Sequence, residues 1–208
     1  MVRVKICRTT NLDDALYAVE CGADAVGFIF YPKAAPYIPP ERAAEVVRGL
    51  PPFVTPVGVF VDEPPDRVAG VAGLVGLRAV QLHGDESPEY CSRFPGLRVI
   101  KAFRVGEGFD VKRLAAYQAD AFLLDAYDPN LRGGTGKTFN WEVAVEARRY
   151  GRIILSGGLN PDNVAEAVAK VRPYAVDVGS GVEREPGRKD REKVEAFIRA
   201  ARGSERQR

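Results

Sequence analysis

The chain has 208 residues, 46% of them hydrophobic and 28% charged, with three cysteines, one histidine and a formal net charge of +2. That length suits one well-buried core and is short for two domains, and so small a net charge gives no global field for nucleic acid or a membrane surface. A single histidine leaves almost no room for a His-based catalytic metal site, and Cys7, Cys21 and Cys91 are too scattered and odd in number for a disulfide framework or a zinc site.

Met1 leads straight into the alternating stretch Val2-Arg3-Val4-Lys5-Ile6-Cys7, unlike the charged and then apolar regions of a secretory signal. No apolar run approaches the roughly 18 to 20 residues of a membrane span. A cytoplasmic protein is expected. In chain order, β-branched and apolar runs predict strands at 2–7, 25–30, 55–61, 79–82, 98–103, 121–125, 152–156 and 175–178. Most are near-continuous Val, Ile, Leu, Phe and Ala, the mark of parallel strands covered on both faces. Amphipathic stretches between them predict helices at 11–21, 40–49, 65–72, 87–94, 110–117, 140–149, 161–171 and 188–202. Asn11, Ser87 and Asn160 stand where N-caps are needed, and Gly22 and Gly49 where helices should stop. The polar end, 204–208, is expected to fray.

Eight βα units without a linker predict one domain over 1–203, an α/β chain folded as a (β/α)8 TIM barrel. An open doubly wound sheet is the competing architecture. The single Met, few Asn and Gln, and the pairs Pro51-Pro52 and Pro64-Pro65 suggest a thermophilic source.

Barrel enzymes place their chemistry at strand C-termini and in the loops that follow. That filter selects Cys7-Arg8, the segment 30–37, Val61-Asp62, Gln81 to Gly84, Lys101 to Arg104, Asp125, Ser156-Gly157-Gly158 and Asp177 to Gly181. Small residues after strands 7 and 8 expose backbone N–H groups, so Gly157, Gly158, Ser180 and Gly181 form a candidate phosphate site. The plainer reading is that these turns need glycine for conformation alone. Cys7 and Asp125 end strands 1 and 6 and face one mouth; a thiolate can take a proton and a carboxylic acid can give one. Cys7 as a small buried hydrophobe and Asp125 as a cap or surface ion pair are the alternatives. His83 is either a site residue or a structural imidazole. Lys101 keeps a Schiff-base aldolase open, and a non-catalytic phosphate-binding barrel is a third reading. The segment 132–138 looks like a nucleotide P-loop but has Leu131 where the opening glycine is required; it reads as a mobile loop over the site.

Taken together, the motifs resemble the phosphoribosylanthranilate isomerase family. They are Val4-Lys5-Ile6-Cys7, Gly22-Ala23-Asp24-Ala25-Val26-Gly27-Phe28, Val57-Gly58-Val59-Phe60-Val61, Val80-Gln81-Leu82-His83-Gly84, Gly133 to Phe139 with Trp141, Leu155-Ser156-Gly157-Gly158-Leu159, and Asp177 to Glu183. The resemblance implies an Amadori rearrangement of a phosphosugar without cofactor or metal. Asp125 would be the general acid and Cys7 the general base, with phosphate at Gly157, Gly158, Ser180 and Gly181. Gln81, His83 and Asp177 are carried over as substrate-binding. A homodimer is possible, since members of the family include monomers and dimers. Two departures stand out: Arg8 replaces a usual glycine, and Pro36 replaces an arginine associated with the substrate carboxylate. The expectation is that Arg8 takes over that carboxylate, with Lys33 second.

Overall fold

The computed structural model describes residues 1–126 and 140–203. Eight parallel strands close in chain order: β1 (Arg3–Ile6), β2 (Ala25–Ile29), β3 (Thr55–Phe60), β4 (Ala79–Leu82), β5 (Arg98–Val105), β6 (Ala121–Ala126), β7 (Ile153–Leu155) and β8 (Ala175–Val178). β8 pairs back onto β1, with Val4 opposite Val176 and Lys5 opposite Asp177, which rules out the open sheet.

Strand parity decides what each side chain meets. In β5, Ile100 and Ala102 join Val57, Ala79, Ala121, Leu123, Ile154 and Ala175 in a cluster drawn only from strands, the barrel interior. Phe103 and Val105 belong to a second cluster, with Trp141, Val164 and Phe197 of the surrounding helices. Both faces are therefore apolar, and the strands read as unbroken apolar runs rather than alternating ones. In β1, Val4 and Ile6 face the helices, so Lys5 and Cys7 share the inward parity.

The covering helices are α1 (Leu12–Glu20), α2 (Pro40–Arg48), α3 (Pro65–Val75), α4 (Pro88–Cys91), α5 (Trp141–Ala147), α6 (Val164–Val171) and α7 (Arg191–Gly203). The Asn11 side chain accepts from the Asp14 N–H and Ser87 from the Tyr90 N–H, as expected of N-caps. Three expectations are corrected. The segment Val111–Ala116 winds as a 3-10 helix. Asn160 folds its side chain onto the Asp162 and Asn163 N–H groups, delaying α6 to Val164. The last helix begins at Arg191 because β9 (Glu183–Glu185) and β10 (Arg188–Lys189) first form an antiparallel pair. No described helix is long and apolar enough to cross a membrane. The segment 132–138 and the end 204–208 lie outside the described residues.

At the N-terminal rim, Asp24 accepts from Arg3, from Arg202 and from the Val4 N–H. That ties the last helix to the first strand and leaves the opposite rim to carry function.

Candidate active site

Beneath the C-terminal mouth the interior turns polar. Lys5 of β1 is only 3% exposed, Gln81 of β4 2% and Asp177 of β8 5%. The Lys5 ammonium donates to Asp177 Oδ1 at 2.8 Å and to Gln81 Oε1 at 3.0 Å. Ser156 Oγ, one residue beyond β7, donates to the other oxygen of Asp177 at 3.1 Å. Burial alone would pull the Lys5 pKa down, but the charges of Asp177 and Cys7 outweigh it and hold the ammonium above the ordinary lysine range.

An ammonium can only donate, and that fixes the groups beyond it. Gln81 must turn its oxygen to Lys5, so its Nε2 faces His83 Nδ1 at 2.8 Å. The amide N–H donates there, Nδ1 accepts, and the proton of the neutral ring belongs on Nε2. His83 Nε2 in turn faces Asp125 Oδ2 at 3.3 Å. The buried lysine of β1 is thus joined by contacts to the carboxyl at the end of β6.

Cys7 is a free, buried thiol on the same inward side of β1. Burial, the largest influence, holds its pKa above the ordinary thiol range and Asp177 adds to the rise, although the charges of Lys5 and Lys189 pull it down. Gly27 of β2 makes the space: a Cβ there would stand 2.7 Å from Cys7 Sγ and 3.1 Å from Lys5 Nζ. The Cys7 carbonyl accepts from Lys189 Nζ at 2.6 Å, and Lys189 also pairs with Glu183 at 3.1 Å. Hence the β9–β10 hairpin, unforeseen in the sequence, clamps the end of β1.

Arg8 stands at the mouth as expected, but its fork is turned to the protein. Nε donates to Glu183 Oε1 at 3.1 Å and Nη2 to the Ala35 carbonyl at 2.7 Å. Its φ of 64° is left-handed, the reason a glycine suits this position. Two of its donors thus tether the loops after β8 and β2. Lys33 is exposed on the β2 loop.

Gly157 and Gly158 have φ of 80° and 67°. A Cβ on Gly157 would fall 2.1 Å from the Ala126 nitrogen, and one on Gly181 2.0 Å from the Leu159 oxygen. Conformation and close approach alone thus demand these glycines. Gly158, Ser180 and Gly181 nevertheless line one cavity of about 530 Å³, with Lys193 as its cation and Asp162 and Glu192 beside it. Gly157 lies outside that lining.

Lys101 faces the protein as well. It is 2% exposed and donates to Glu86 at 2.7 Å and to the Gly84 carbonyl at 2.7 Å. Glu86 accepts from the N–H groups of Gly84 and Asp62, so the pair shapes the turn that carries His83. Arg104 was within the mouth filter but had no role assigned from sequence. Its parity is that of Ile100 and Ala102, it is opposite Asp125 in register, and it lines a cavity of about 140 Å³ with His83, Phe103 and Phe109.

Known proteins share this fold. A family model described as N-(5'phosphoribosyl)anthranilate (PRA) isomerase matches residues 4–200. An N-(5'-phosphoribosyl)anthranilate isomerase of Geobacter sp. (strain M21) is 58% identical over 202 residues, 97% of this chain and 98% of that one. The crystal structure of the Thermotoga maritima phosphoribosyl anthranilate isomerase superposes with a TM-score of 0.91 at 51% identity, covering 98% of this chain and all of that one. Monomers generated from the dimeric form of that enzyme give 0.88 at 48% identity, with the same coverage. A phosphoribosyl anthranilate isomerase in complex with reduced 1-(o-carboxyphenylamino)-1-deoxyribulose 5-phosphate gives 0.87 at 48% identity, again over 98% of this chain and all of that one. The chain belongs to the phosphoribosylanthranilate isomerase family.

Proposed function

We propose that this chain converts N-(5′-phosphoribosyl)anthranilate to 1-(2-carboxyphenylamino)-1-deoxyribulose 5-phosphate, a step of tryptophan biosynthesis, by proton transfer between its own side chains. Asp125 gives a proton to the ribose ring oxygen and the ring opens to a protonated imine. Cys7 takes the proton from C2′, and the resulting enolamine tautomerises to the ketone. The observation that carries this reading is the contact chain from Lys5, which borders the Cys7 sulfur, through Gln81 and His83 to Asp125. In this reading Gln81 and Asp177 act from below, holding Lys5 and His83, rather than touching substrate. The chemistry calls for no cofactor.

Phosphate is assigned to the loops after β7 and β8, where Gly158, Ser180 and Gly181 share a cavity with Lys193. Gly157 supports this as the turn that brings Gly158 into place. For the carboxylate, Arg104 takes the role first given to Arg8. Arg104 is an exposed residue on the inward parity that shares a cavity with His83, and a planar fork matches a carboxylate.

The partners in this reading are the phosphosugar and a second copy of the chain. The Thermotoga maritima relative has a dimeric form, which supports a second copy as partner. Three free thiols suit a reducing cytoplasm. The low Met, Asn and Gln content suits a thermophilic source.

Purified protein should abolish the fluorescence of phosphoribosylanthranilate. Cys7→Ser and Asp125→Asn should each lower kcat by about 10² to 10⁴-fold while substrate still binds; near-parent turnover in either would remove that residue from the mechanism. Arg104→Gln should raise KM about tenfold or more with little change in kcat, the sign of lost uniform binding, whereas an unchanged KM would refute the carboxylate assignment. Gly157 is a poor probe of phosphate, since any side chain meets Ala126. Ser180 is exposed, and Ser180→Asp should raise KM and weaken inhibition by sulfate. Equal sulfate inhibition in parent and variant would place the phosphate elsewhere.

The aldolase reading has a direct discriminator. Lys101→Met strands the buried Glu86 charge and should cost about 3 to 5 kcal/mol of stability, measured by urea unfolding. Borohydride should trap no substrate adduct on Lys101; a trapped adduct would favour the aldolase.

A further inference from the structure

Lys5 is a cation placed where cations are expensive. Moving an ammonium from water into a protein interior costs several kcal/mol unless partners repay it. Asp177 and Gln81 take two of its three N–H donors, at 2.8 and 3.0 Å. The remaining side of the ammonium borders the notch left by Gly27, which the Cys7 sulfur also borders, each within 3.1 Å of the place a Cβ would occupy. β2 thus gives up a side chain at the one point where it would part these two groups.

We propose that Lys5 is a positioning residue whose fixed ammonium is the countercharge that favours the Cys7 thiolate against its burial, the inference resting on Cys7 being the base. In the step it serves, the S–H bond forms as the C2′–H bond breaks. The C–H electron pair becomes the C1′–C2′ double bond, and the π pair of the protonated imine passes to its nitrogen, giving the neutral enolamine. Lys5 keeps its proton throughout.

The charges around the sulfur come from several elements. Lys5 lies on its own strand and Asp177 on β8, whereas Lys189 of β10 reaches its carbonyl, backed by Glu183 of β9 and Arg8. Burial and Asp177 push the thiol up, and Lys5 is the first of the groups pulling it down. Lys189 and Arg8 are shared with Glu183, which blunts their effect on the sulfur. Asp177, held by Ser156 and Lys5 together, keeps Lys5 charged at the expense of the thiolate. The two partners of the buried pair therefore act on Cys7 with opposite signs.

That opposition supplies the test. The ionisation midpoint of Cys7 can be read from thiolate ultraviolet absorbance, each protein being compared with the same protein carrying Cys7→Ser, which cancels Cys21 and Cys91. Removing an opposite charge at this range moves a pKa by about one to three units. In Lys5→Met the midpoint should rise by that amount, and the acid limb of kcat/KM should move with it. Activity at neutral pH then falls at least about tenfold. Asp177→Asn should lower the midpoint, and Lys5→Arg should keep it near the parent value. A merely structural pair would not shift the midpoint in opposite directions on losing Lys5 and on losing Asp177. An unchanged midpoint in Lys5→Met overturns the inference even if activity is lost. Should Lys5→Met fail to fold, an unchanged or raised midpoint in Asp177→Asn overturns it instead. Near-parent turnover in Cys7→Ser would defeat the underlying reading of Cys7 as base whatever the midpoints do.

Discussion

A buried ammonium accepts no hydrogen bonds, and its neighbours must therefore arrange themselves around its three donors. In this barrel that ammonium is Lys5, and the polar layer beneath the mouth follows from it. Asp177 turns one oxygen to it, Gln81 its carbonyl, and Ser156 completes Asp177 from β7. The orientation of Gln81 then sets which nitrogen of His83 carries the ring proton, and His83 meets Asp125. Side chains from β1, β4, β6, β7 and β8 are so committed to one sense of hydrogen bonding. A reversed amide at Gln81 would set two donors against each other inside the barrel, an arrangement costing more than a kcal/mol or so for each unmet buried group.

A second layer of charge lies outside the first and fixes loops instead of side chains. Lys189 holds the Cys7 carbonyl, Glu183 joins Lys189 to Arg8, and Arg8 reaches the Ala35 carbonyl after β2. Glu86 and Lys101 do comparable work on the turn that bears His83. Both pairs are buried, and such pairs add specificity of geometry more than net stability. Their place next to the candidate acid and base suits that: a proton-transfer pair is sensitive to small displacements.

The barrel itself was readable because its strands bury both faces. Runs such as Ala25 to Phe30 carry enough apolar residues to show a parallel strand without any periodicity, and eight of them with helices between leave few alternatives. Cys7 and Asp125 could be singled out as candidates because barrel chemistry lies at strand ends. Lys5 was missed for the opposite reason. Within Val-Arg-Val-Lys-Ile-Cys it reads as the polar half of an alternating strand, the place of a solvated lysine. The signal was nonetheless present: Lys5 has the parity of Cys7, so if the thiol faces the mouth the lysine must face the interior. Lys189 was hidden because the second of two very short strands reads as the start of a helix, and Glu183, at the end of the Asp177 motif, gains a role only once that hairpin forms. Arg8 was placed at the right rim, but its direction depends on a left-handed backbone and a partner 175 residues away, neither of which spacing reveals.

The claim on which the account turns is that polarity runs from Lys5 through Gln81 to His83 and on to Asp125. Because His83 is the chain's single histidine, nitrogen-15 spectra of uniformly histidine-labelled protein report on that ring alone. At a pH where the ring is neutral, the account predicts one tautomer, with the proton on Nε2 and an unprotonated Nδ1. A proton on Nδ1, or a rapidly averaged mixture of the two forms, would contradict it.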